Sequence, residues 1–552
     1  MSANETAVIA DAMADFFAPT STDMVQGLVA EYRRDRQRIA DAVKFAESDA
    51  FKGVWHYFAK GNADEYRGHS SLTNSVEQAF REAGAVGVLN ATYWNRALEL
   101  TDVYDAMPQA RRSQWHEQMR NPEGRKGHGS EPDLPPLPDF EEETVRSTLL
   151  ELLNSRARFL AERVDGIFRA LSGEHVTNSP AAFSKRMIIG HLVSSYGTTT
   201  DRVGFINDLR CVIAKFMGRD EPGWNATGSV VTRARREKRG EWVTLDGGAL
   251  RLRAYKCGTA HLEVHPDMAW RLNCVLAQLY PLAIPPEFRA KPKKKVKDFV
   301  MMGRPLPFAV IAALESLETA YNFIENTGPN AWREQYRRDP IKNGLVPRGG
   351  FSAEAERVIA YIGGVKTKNE RGTEYFAFDY DPREVIAEII CTGCLPDQQS
   401  HQYYPTPESL ARVAVEIARI EPHHECLEPS AGTGGIADLL PKTVTTCVEI
   451  SPLHCKVLEA KGHNVVEADF LKWEGIKFDR IIMNPPFASG RWQLHIEHAA
   501  GMLADDGRLV AILPASAKNR DVLPGWTLEW SRVFDNEFAG ASVSVVILAA
   551  TR

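Results

Sequence analysis

The sequence has no long apolar run. Its 552 residues contain no uncharged hydrophobic stretch of about 18 residues, the length that a membrane span needs, so we expect no span. The amino-terminal stretch MSANETAVIADAMADFF lacks a basic region followed by an apolar core, so we expect no signal peptide. Both absences favour a cytoplasmic protein.

Cysteine is scarce as well. Eight cysteines are spread thinly along the chain, which favours reduced thiols over a disulfide framework. Cys391 and Cys394 form one C-x-x-C pair, but no second pair follows at the spacing of a zinc finger. We therefore predict no metal site.

Excess positive charge is confined to one part of the chain. The net charge is −6, yet within residues 151–350 Lys and Arg outnumber Asp and Glu by 31 to 20. A confined basic block predicts a contact with a polyanion, and a solvated surface loop and a linker are the alternative interpretation. The candidate contact residues belong to the two densest basic runs: Arg233, Arg235, Arg236, Lys238, Arg239, Lys293, Lys294 and Lys295.

Hydrophobic periodicity and turn residues divide the chain into five predicted segments. These are a helical region (1–105), a loop or linker (106–140), a basic α+β domain that makes the polyanion contact (141–290), a basic linker with a mixed α/β connecting region (291–400), and a regular α/β domain (401–552). In the third segment, Asp246-Gly247-Gly248 between two alternating stretches predicts a β-hairpin.

Strands alternate with helices in residues 401–552. HHECLEPSAGTGGIADLLP predicts a short strand, a Gly-rich turn and a helix, and similar units follow as far as RLVAILP. This alternation predicts the α/β class, with a mostly parallel sheet and helices on both faces. SRVFDNEF and ASVSVVILAATR predict two antiparallel strands at its edge. Ligands of such sheets bind beyond the carboxyl ends of the strands.

Three features fall at that end of the predicted sheet. EPSAGTGG lacks the Lys-Ser/Thr ending of a Walker loop and the full G-x-G-x-x-G pattern, so it is a weak signal for a nucleoside-containing cofactor. Glu449 ends the second strand, where a carboxylate can accept hydrogen bonds from ribose hydroxyls. NPPF ends another strand, and its two prolines fix two φ angles and remove two N–H donors.

Five motifs in residues 401–552 occur in an order that resembles a known family. YYPTPE, LEPSAGTGG, VEIS, EADFLKW and NPPF resemble the motifs of amino-group methyltransferases that use S-adenosylmethionine, specifically the adenine-N6 DNA enzymes. The resemblance implies a Rossmann-like methyltransferase domain. It also implies the cofactor contacts: Thr406 for the methionine carboxylate, Glu428, Ala431, Gly432 and Gly434 for the methionine part, Glu449 for the ribose, Asp469 for the adenine amine and Phe470 for the adenine ring.

The chemistry of an adenine amine accounts for the last of these motifs. The amine is a poor nucleophile because its lone pair is delocalised into the ring. The side-chain carbonyl of Asn484 and the backbone carbonyl of Pro485 would accept its two N–H bonds and localise that pair, and Pro485 and Pro486 would hold both acceptors in place. Phe487 would stack on the target base, which must leave the duplex. Tyr is common here in the family, and Phe keeps the stacking.

The sequence therefore predicts an adenine-N6 DNA methyltransferase whose partner is double-stranded DNA, contacted by the basic residues above. The region before residue 401 resembles an uncharacterised domain found ahead of such methylases in plasmid and phage proteins, which implies a mobile element. The alternatives are an RNA or protein-glutamine N-methyltransferase, and a DNA-binding regulator or decoy with an inactive methylase domain. The sequence predicts no recognition site, strand preference or oligomeric state.

Overall fold

A computed structural model describes most of the chain as two compact units. The described residues are 22–61, 75–101, 103, 107–127, 133–171, 178–179, 181–184, 186–192, 200, 202–223, 226–236, 240–293, 299, 301–302, 304–325, 336–396, 403–538 and 543–552. Unit 1 comprises Met1–Gly240 and Arg253–Val296, and unit 2 comprises Glu241–Leu252 and Lys297–Arg552.

The described part of unit 1 up to residue 169 is mainly helical. The helices are α1 (Thr22–Ala46), α2 (Asp49–Gly61), α3 (Val76–Ala79), α4 (Glu82–Glu99), α5 (Gln109–Arg120), α6 (Glu142–Asn154) and α7 (Arg156–Arg169). Tyr32, Trp94 and Phe140 are fully buried among them. The rings of Trp94 and Phe140 meet edge to face with 5.3 Å between their centres, so large aromatic side chains form this core.

The segment predicted to be a loop or linker, 106–140, contributes to that core. It contains α5, and it buries Leu137 and Phe140. The indole nitrogen of Trp94 donates to the carbonyl of Pro138 at 2.8 Å. The described part of the segment is therefore packed into unit 1, because burying its Leu and Phe side chains stabilises that position despite the Pro-rich backbone around them.

The elements from residue 186 to residue 279 include short strands. They are β1 (Arg186–Ile189), α8 (Val203–Phe216), α9 (Ala226–Arg236), β2 (Val243–Leu245), β3 (Leu250–Ala254), β4 (Ala260–Val264) and α10 (Pro266–Leu279). β1 pairs with β4 in antiparallel fashion. β2 and β3 also pair in antiparallel fashion, joined by a 3-10 turn at Asp246–Gly248, so the predicted hairpin is confirmed.

Unit 1 also buries an ionic network. Arg163 on α7 donates to Asp208 on α8 at 2.7 Å, and Arg112 on α5 donates to the same carboxylate at 2.8 Å. A second carboxylate, Glu221, lies 3.3 Å from Arg163. Arg163 and Asp208 are almost completely excluded from solvent. Such charges are tolerated because each one has oppositely charged partners.

Unit 2 contains an antiparallel sheet and, after it, a larger sheet. The elements around the first sheet are α11 (Phe308–Glu315), β5 (Leu317–Glu325), β6 (Tyr336–Pro347), α12 (Ala353–Tyr361), β7 (Val365–Lys368), β8 (Glu374–Ala377) and α13 (Arg383–Thr392). Its strand order is β5-β6-β8-β7. α13 ends at Gly393, which adopts a left-handed conformation with φ of 66°, as glycine does after many helices.

The larger sheet belongs to residues 403–552. Its elements are α14 (Glu408–Ala418), β9 (Cys426–Pro429), β10 (Thr445–Glu449), α15 (Pro452–Ala460), β11 (Asn464–Glu467), β12 (Phe478–Met483), α16 (Arg491–Gly501), β13 (Leu503–Pro514), β14 (Thr527–Trp530), β15 (Phe534–Asp535) and β16 (Ser544–Thr551). The strand order is β11-β10-β9-β12-β13-β16-β14, with β15 beside β16. Strands β9 to β13 pair in parallel, and the other pairs are antiparallel. The predicted α/β class is confirmed.

Two predicted elements of this domain differ from the structure. The helix expected after the Gly-rich turn is only a 3-10 turn, Ala437–Leu439, because Pro441 follows and lacks the N–H that would continue a helix. At the sheet edge, SRVFDNEF forms only the two-residue β15 and ASVSVVILAATR forms β16, while β14 was not predicted. No helix in the described ranges is long and apolar enough to cross a membrane.

Candidate active site

A cavity of about 360 Å³ lies where β9, β10 and β12 end. Neighbouring parallel strands present their carboxyl ends at the same edge, so the turns that follow them meet there. The predicted site residues that line the cavity are Thr406, Glu428, Ala431, Gly432, Glu449, Asp469, Phe470, Asn484, Pro485, Pro486 and Phe487. The fold thus brings these residues together, and their individual roles stay predictions.

The Gly-rich turn after β9 places backbone atoms without side chains beside the cavity. Gly432 has a φ of 58°, and a Cβ atom placed on it would lie 2.5 Å from Cε2 of Tyr403. Gly434, predicted to line the methionine part, is not among the residues that line the cavity. Its φ is 95°, and its missing Cβ would lie 3.1 Å from Leu458. Gly434 therefore serves the backbone conformation of the turn.

Glu449 is buried at the end of β10 and accepts three backbone N–H groups. Its Oε2 accepts from Gly432 at 2.8 Å, and its Oε1 accepts from Ile450 at 2.9 Å and from Ser451 at 2.8 Å. Burial opposes ionisation, but the imidazole of His454 and these N–H groups outweigh it and lower the pKa of Glu449. The group is therefore a carboxylate at neutral pH, with about one acceptor site left over.

Glu428 is the opposite case. It lies at the end of β9 and is 3% exposed, and its Oε2 is buried without a hydrogen-bond partner among the described residues. Burial, to which the nearby charge of Asp438 adds, raises the pKa of Glu428 well above its usual value. A buried carboxyl of this kind fits a ligand whose positive charge would stabilise its ionised form.

Asn484 follows the last residue of β12 and is oriented by Thr406. Its Nδ2 donates to Thr406 Oγ1 at 3.0 Å and lies 3.5 Å from the carbonyl of Tyr404. No described residue donates to Asn484 Oδ1, which stays an available acceptor. Thr406 uses its oxygen as the acceptor in this contact, so its own O–H stays available as a donor.

The proline corner after Asn484 consists of Pro485, Pro486 and Phe487. One side of it packs against the protein, and the other side faces the cavity. Pro485 is buried, whereas Pro486 and Phe487 are half-buried. Phe487 packs against the two hydrophobic clusters that cover the sheet, and all three residues also line the cavity. The corner is thus fixed by packing while it faces the space that a ligand would enter.

Asp469 and Phe470 form another wall. Asp469 Oδ1 accepts from the N–H of Leu471 at 3.3 Å, and its Oδ2 pairs with Lys472 at 3.1 Å. Phe470 is buried, and its ring centre lies 5.5 Å from that of His495. Asp469 is therefore held in place by its own turn, and Phe470 offers an apolar surface.

Sequence reasoning did not single out Tyr403, His454, Arg491 or His495, which also line the cavity. Arg491 and His495 are four residues apart on α16, directly after the NPPF turn, and that spacing places them on one helix face. The spacing was a usable signal. Burial, helped by the positive charge of Arg491, lowers the pKa of His495 to about 4, so this ring is neutral at pH 7.

The predicted DNA-contact residues that the structure describes are not among the residues that line the cavity. Arg233, Arg235 and Arg236 fall in the last turn of α9, where Arg236 is exposed and the other two are half-buried. Lys293 is exposed. The remaining four candidates, Lys238, Arg239, Lys294 and Lys295, lie outside the described residues. The DNA contact stays a prediction.

No metal site was predicted, and one group of metal-type ligands comes together among the described residues: Glu421, His423 and His424. It precedes β9, at the end of the strand opposite the cavity. Glu421 and His423 are exposed, and Nδ1 of His424 already accepts the N–H of Glu421 at 2.8 Å. All eight cysteines are free thiols, as predicted.

Comparison with known proteins finds one family model and one curated relative that match parts of the chain. A protein-family model described as a domain of unknown function, DUF4942, matches residues 87–282. A curated relative, the modification methylase CviBIII of Paramecium bursaria Chlorella virus NC1A, is 32% identical over 130 residues. The match covers 18% of this chain and 33% of the relative, so the chain spans about one third of that relative's length.

Similar solved structures include two methyltransferases. TrmN from Thermus thermophilus is 19% identical over 32% of this chain and 57% of that chain, with a TM-score of 0.24. Magnesium protoporphyrin IX methyltransferase from Synechocystis PCC 6803, solved with bound S-adenosylmethionine, is 15% identical over 26% of this chain and 77% of that chain, with a TM-score of 0.22. At such scores the description of the fold rests on the strand pairings given above.

Proposed function

We propose that this protein is an adenine-N6 DNA methyltransferase that uses S-adenosylmethionine and acts on an adenine turned out of the duplex. The observation that carries the proposal is the hydrogen bond from Asn484 Nδ2 to Thr406 Oγ1 at 3.0 Å. It turns the amide nitrogen of Asn484 toward Thr406 and so leaves Asn484 Oδ1 as an acceptor beside the cavity, while the carbonyl of Pro485, which also lines the cavity, is the proposed second acceptor. Two acceptors are what an amine with two N–H bonds requires.

The residues of the corner act by positioning and polarising the amine. Asn484 and Pro485 accept its N–H bonds, which localises the nitrogen lone pair, and the rigid backbone avoids reorganisation during the reaction. When bound, S-adenosylmethionine supplies a methyl group on sulfonium sulfur: the N–C bond forms as the S–C bond breaks, and that electron pair stays on sulfur. The methylated nitrogen then loses one proton to solvent, so no strong base is needed. Phe487 stacks on the base.

The cavity residues fit the cofactor. The unpartnered Oε2 of Glu428 suits the ammonium of its methionine part, and the spare O–H of Thr406 suits the carboxylate. Glu449 is ionised and has about one acceptor site left for a ribose hydroxyl. Phe470 gives the adenine ring an apolar surface, and Asp469 gives its amine an acceptor.

DNA is the proposed substrate for three reasons. The curated relative is named a modification methylase. The basic block of residues 151–350 supplies positive charge for phosphates. Arg491 is exposed at the cavity wall and has no ion-pair partner among the described residues, so it is available to a phosphate beside the turned-out base.

Transfer of tritiated methyl groups tests the proposal. The full chain should label adenine in plasmid DNA and leave tRNA, rRNA and protein unlabelled. Label in RNA or protein instead would overturn the substrate, and DNA binding without any transfer would favour the regulator or decoy.

The variant Asn484→Ala tests the assigned role. It should abolish transfer while the affinity for S-adenosylmethionine stays within about twofold of the parent, because the amine acceptors do not bind the cofactor. Asn464→Ala is the matched control, since Asn464 Nδ2 also donates to a threonine hydroxyl, Thr446 Oγ1, at 3.2 Å but does not line the cavity. Equal rates in Asn484→Ala and the parent would refute the role.

A further inference from the structure

Tyr361, the last residue of α12, contacts a residue of the cavity wall. Its hydroxyl donates to the carbonyl of Pro396 at 2.7 Å and lies 2.6 Å from Nε2 of His454. Its ring meets that of Tyr403 edge to face with 5.7 Å between the centres. A residue from the connecting region before the regular α/β domain therefore reaches two residues of the cavity, His454 and Tyr403.

The hydrogen bonds of the Tyr361 hydroxyl indicate which ring nitrogen of His454 carries a hydrogen. A tyrosine hydroxyl has one hydrogen to donate, and the carbonyl of Pro396 can only accept, so that hydrogen goes to Pro396. The contact between Tyr361 and His454 must then be Nε2–H donating to the tyrosine oxygen. The other ring nitrogen, Nδ1, lies 3.7 Å from Glu449 Oε1. The imidazole of His454 therefore lies between Tyr361, to which it is hydrogen-bonded, and the carboxylate of Glu449, beside which it packs.

His454 also supports the residue that covers the Gly-rich turn. It is 1% exposed, and its ring centre lies 4.3 Å from that of Tyr403. The hydroxyl of Tyr403 pairs with Thr433 Oγ1 at 2.7 Å, and its ring fills the space beside Gly432. One buried imidazole therefore contacts both groups that shape this end of the cavity, Glu449 and Tyr403.

We propose that Tyr361 and His454 form a positioning pair for the cofactor. The pair holds Glu449 and Tyr403 in the arrangement that receives the ribose of S-adenosylmethionine, and this role rests on the function proposed above. Neither residue touches the reacting atoms. The connecting region that carries Tyr361 is accordingly part of the cofactor site and not only a spacer between domains.

The proposal distinguishes Tyr361 from Tyr380. The hydroxyl of Tyr380 also donates to a backbone carbonyl, that of Ile362, at 2.6 Å, and Tyr380 is more than nine-tenths buried. Tyr380 does not line the cavity, and its ring packs against that of Phe378. Tyr380→Phe is therefore a matched control, because it removes the same chemical group from the same part of the chain without reaching His454.

The test measures cofactor affinity by calorimetry on the full chain, with S-adenosylmethionine and S-adenosylhomocysteine as probes. Tyr361→Phe should weaken both affinities about five- to tenfold, the size expected for one hydrogen bond. The KM for S-adenosylmethionine should rise by a similar factor while kcat stays within about twofold, because the pair does not act on the chemical step. Tyr380→Phe should keep the affinity and KM of the parent.

Variants of His454 provide a second test, so that the proposal does not depend on Tyr361→Phe alone. His454→Gln keeps a donor that can reach the Tyr361 oxygen and should restore much of the affinity that His454→Leu loses. Tyr361→Phe should cost little further affinity in the His454→Leu background, because two residues that act as a pair are not additive.

The outcomes separate this proposal from the proposed function. If the parent binds S-adenosylmethionine and Tyr361→Phe binds it equally well, the positioning pair is overturned and the methyltransferase stands. Equal losses of affinity and of Tm in Tyr361→Phe and Tyr380→Phe would also overturn it, since the hydroxyl would then serve only the fold. A parent that binds no S-adenosylmethionine would overturn both proposals.

Discussion

The ring of Tyr403 occupies the place that a side chain at Gly432 would need. The nearest ring atom, Cε2, lies 2.5 Å from the ideal Cβ position of residue 432, well inside van der Waals contact. The hydroxyl of the same ring is held by Thr433. The segment before α14 and the Gly-rich turn after β9 therefore fit together only while residue 432 is glycine.

Gly432→Ala should lose cofactor affinity by more than tenfold. The left-handed φ costs an alanine about 1 kcal/mol, and the new methyl group also displaces Tyr403 from the cavity wall. Gly462→Ala is the matched control: Gly462 has a φ of 84°, and no atom lies within 4 Å of its ideal Cβ. Calorimetric titration with S-adenosylmethionine checks this, and equal affinities in the two variants would contradict it.

Thr406→Val should lower kcat about ten- to hundredfold. Valine has nearly the same shape but no hydroxyl, so Asn484 Nδ2 loses its acceptor and its side chain is no longer oriented, and misplaced catalytic groups cost rates of this order. Thr406→Ser keeps the hydroxyl and should stay within about threefold of the parent. Steady-state methylation of plasmid DNA measures both, and similar rates for Val and Ser would show that the hydroxyl does not orient Asn484.

Glu428 should make the stability of the parent fall as pH rises. Its pKa is raised in the folded state, so above the ordinary glutamate pKa of about 4.3 the folded chain keeps a proton that the unfolded chain has lost. Stability therefore decreases as pH rises through the interval between the two pKa values. Glu428→Gln removes this dependence, so the free energy of unfolding of the parent should fall relative to that of the variant across that interval.

Urea unfolding of the ligand-free chain at several pH values measures the effect. The exposed Glu425 provides the control, because Glu425→Gln should keep the pH profile of the parent. If the free energy of unfolding of the parent and that of Glu428→Gln changed with pH in parallel, Glu428 would not be the group that keeps its proton in the folded chain.

Replacing Lys293, Lys294 and Lys295 by serine should weaken binding to duplex DNA. Each lost phosphate contact lowers the slope of log affinity against log salt by about 0.9, so loss of all three contacts lowers it by about 2 to 3. Titration of labelled DNA at several salt concentrations measures the slope, and the affinity for S-adenosylmethionine is the control. An unchanged slope would place the DNA contact elsewhere in the basic block.

Local motifs predicted the site better than they predicted the fold around it. NPPF, VEIS and LEPSAGTGG each sit at a strand end, so recognising strands in order was enough to place Asn484, Glu449 and Glu428 at one edge of a parallel sheet. A turn of glycines does not reveal which of them faces a ligand: the family resemblance gives both Gly432 and Gly434 to the methionine part, and only Gly432 is among the residues that line the cavity.

Contacts between distant parts of the chain were not predictable from pattern. Tyr361 and His454 are 93 residues apart, and nothing in the sequence around either residue indicates the other. The stretch 106–140 was predicted to be a linker because Pro, Gly and charge dominate its composition. Burial of Leu137 and Phe140 depends on a helical core whose shape its own sequence does not encode.

The buried network of unit 1 limits how that unit can evolve. Asp208 accepts from both Arg112 and Arg163, and Arg163 also faces Glu221. Losing Asp208 removes the carboxylate that both arginines share, and losing Arg163 leaves Asp208 with Arg112 alone. Breaking a buried ion pair in this way costs about 3–5 kcal/mol. Homologous chains should therefore either keep all four residues or exchange them jointly for apolar ones, and single replacements should be rare among them.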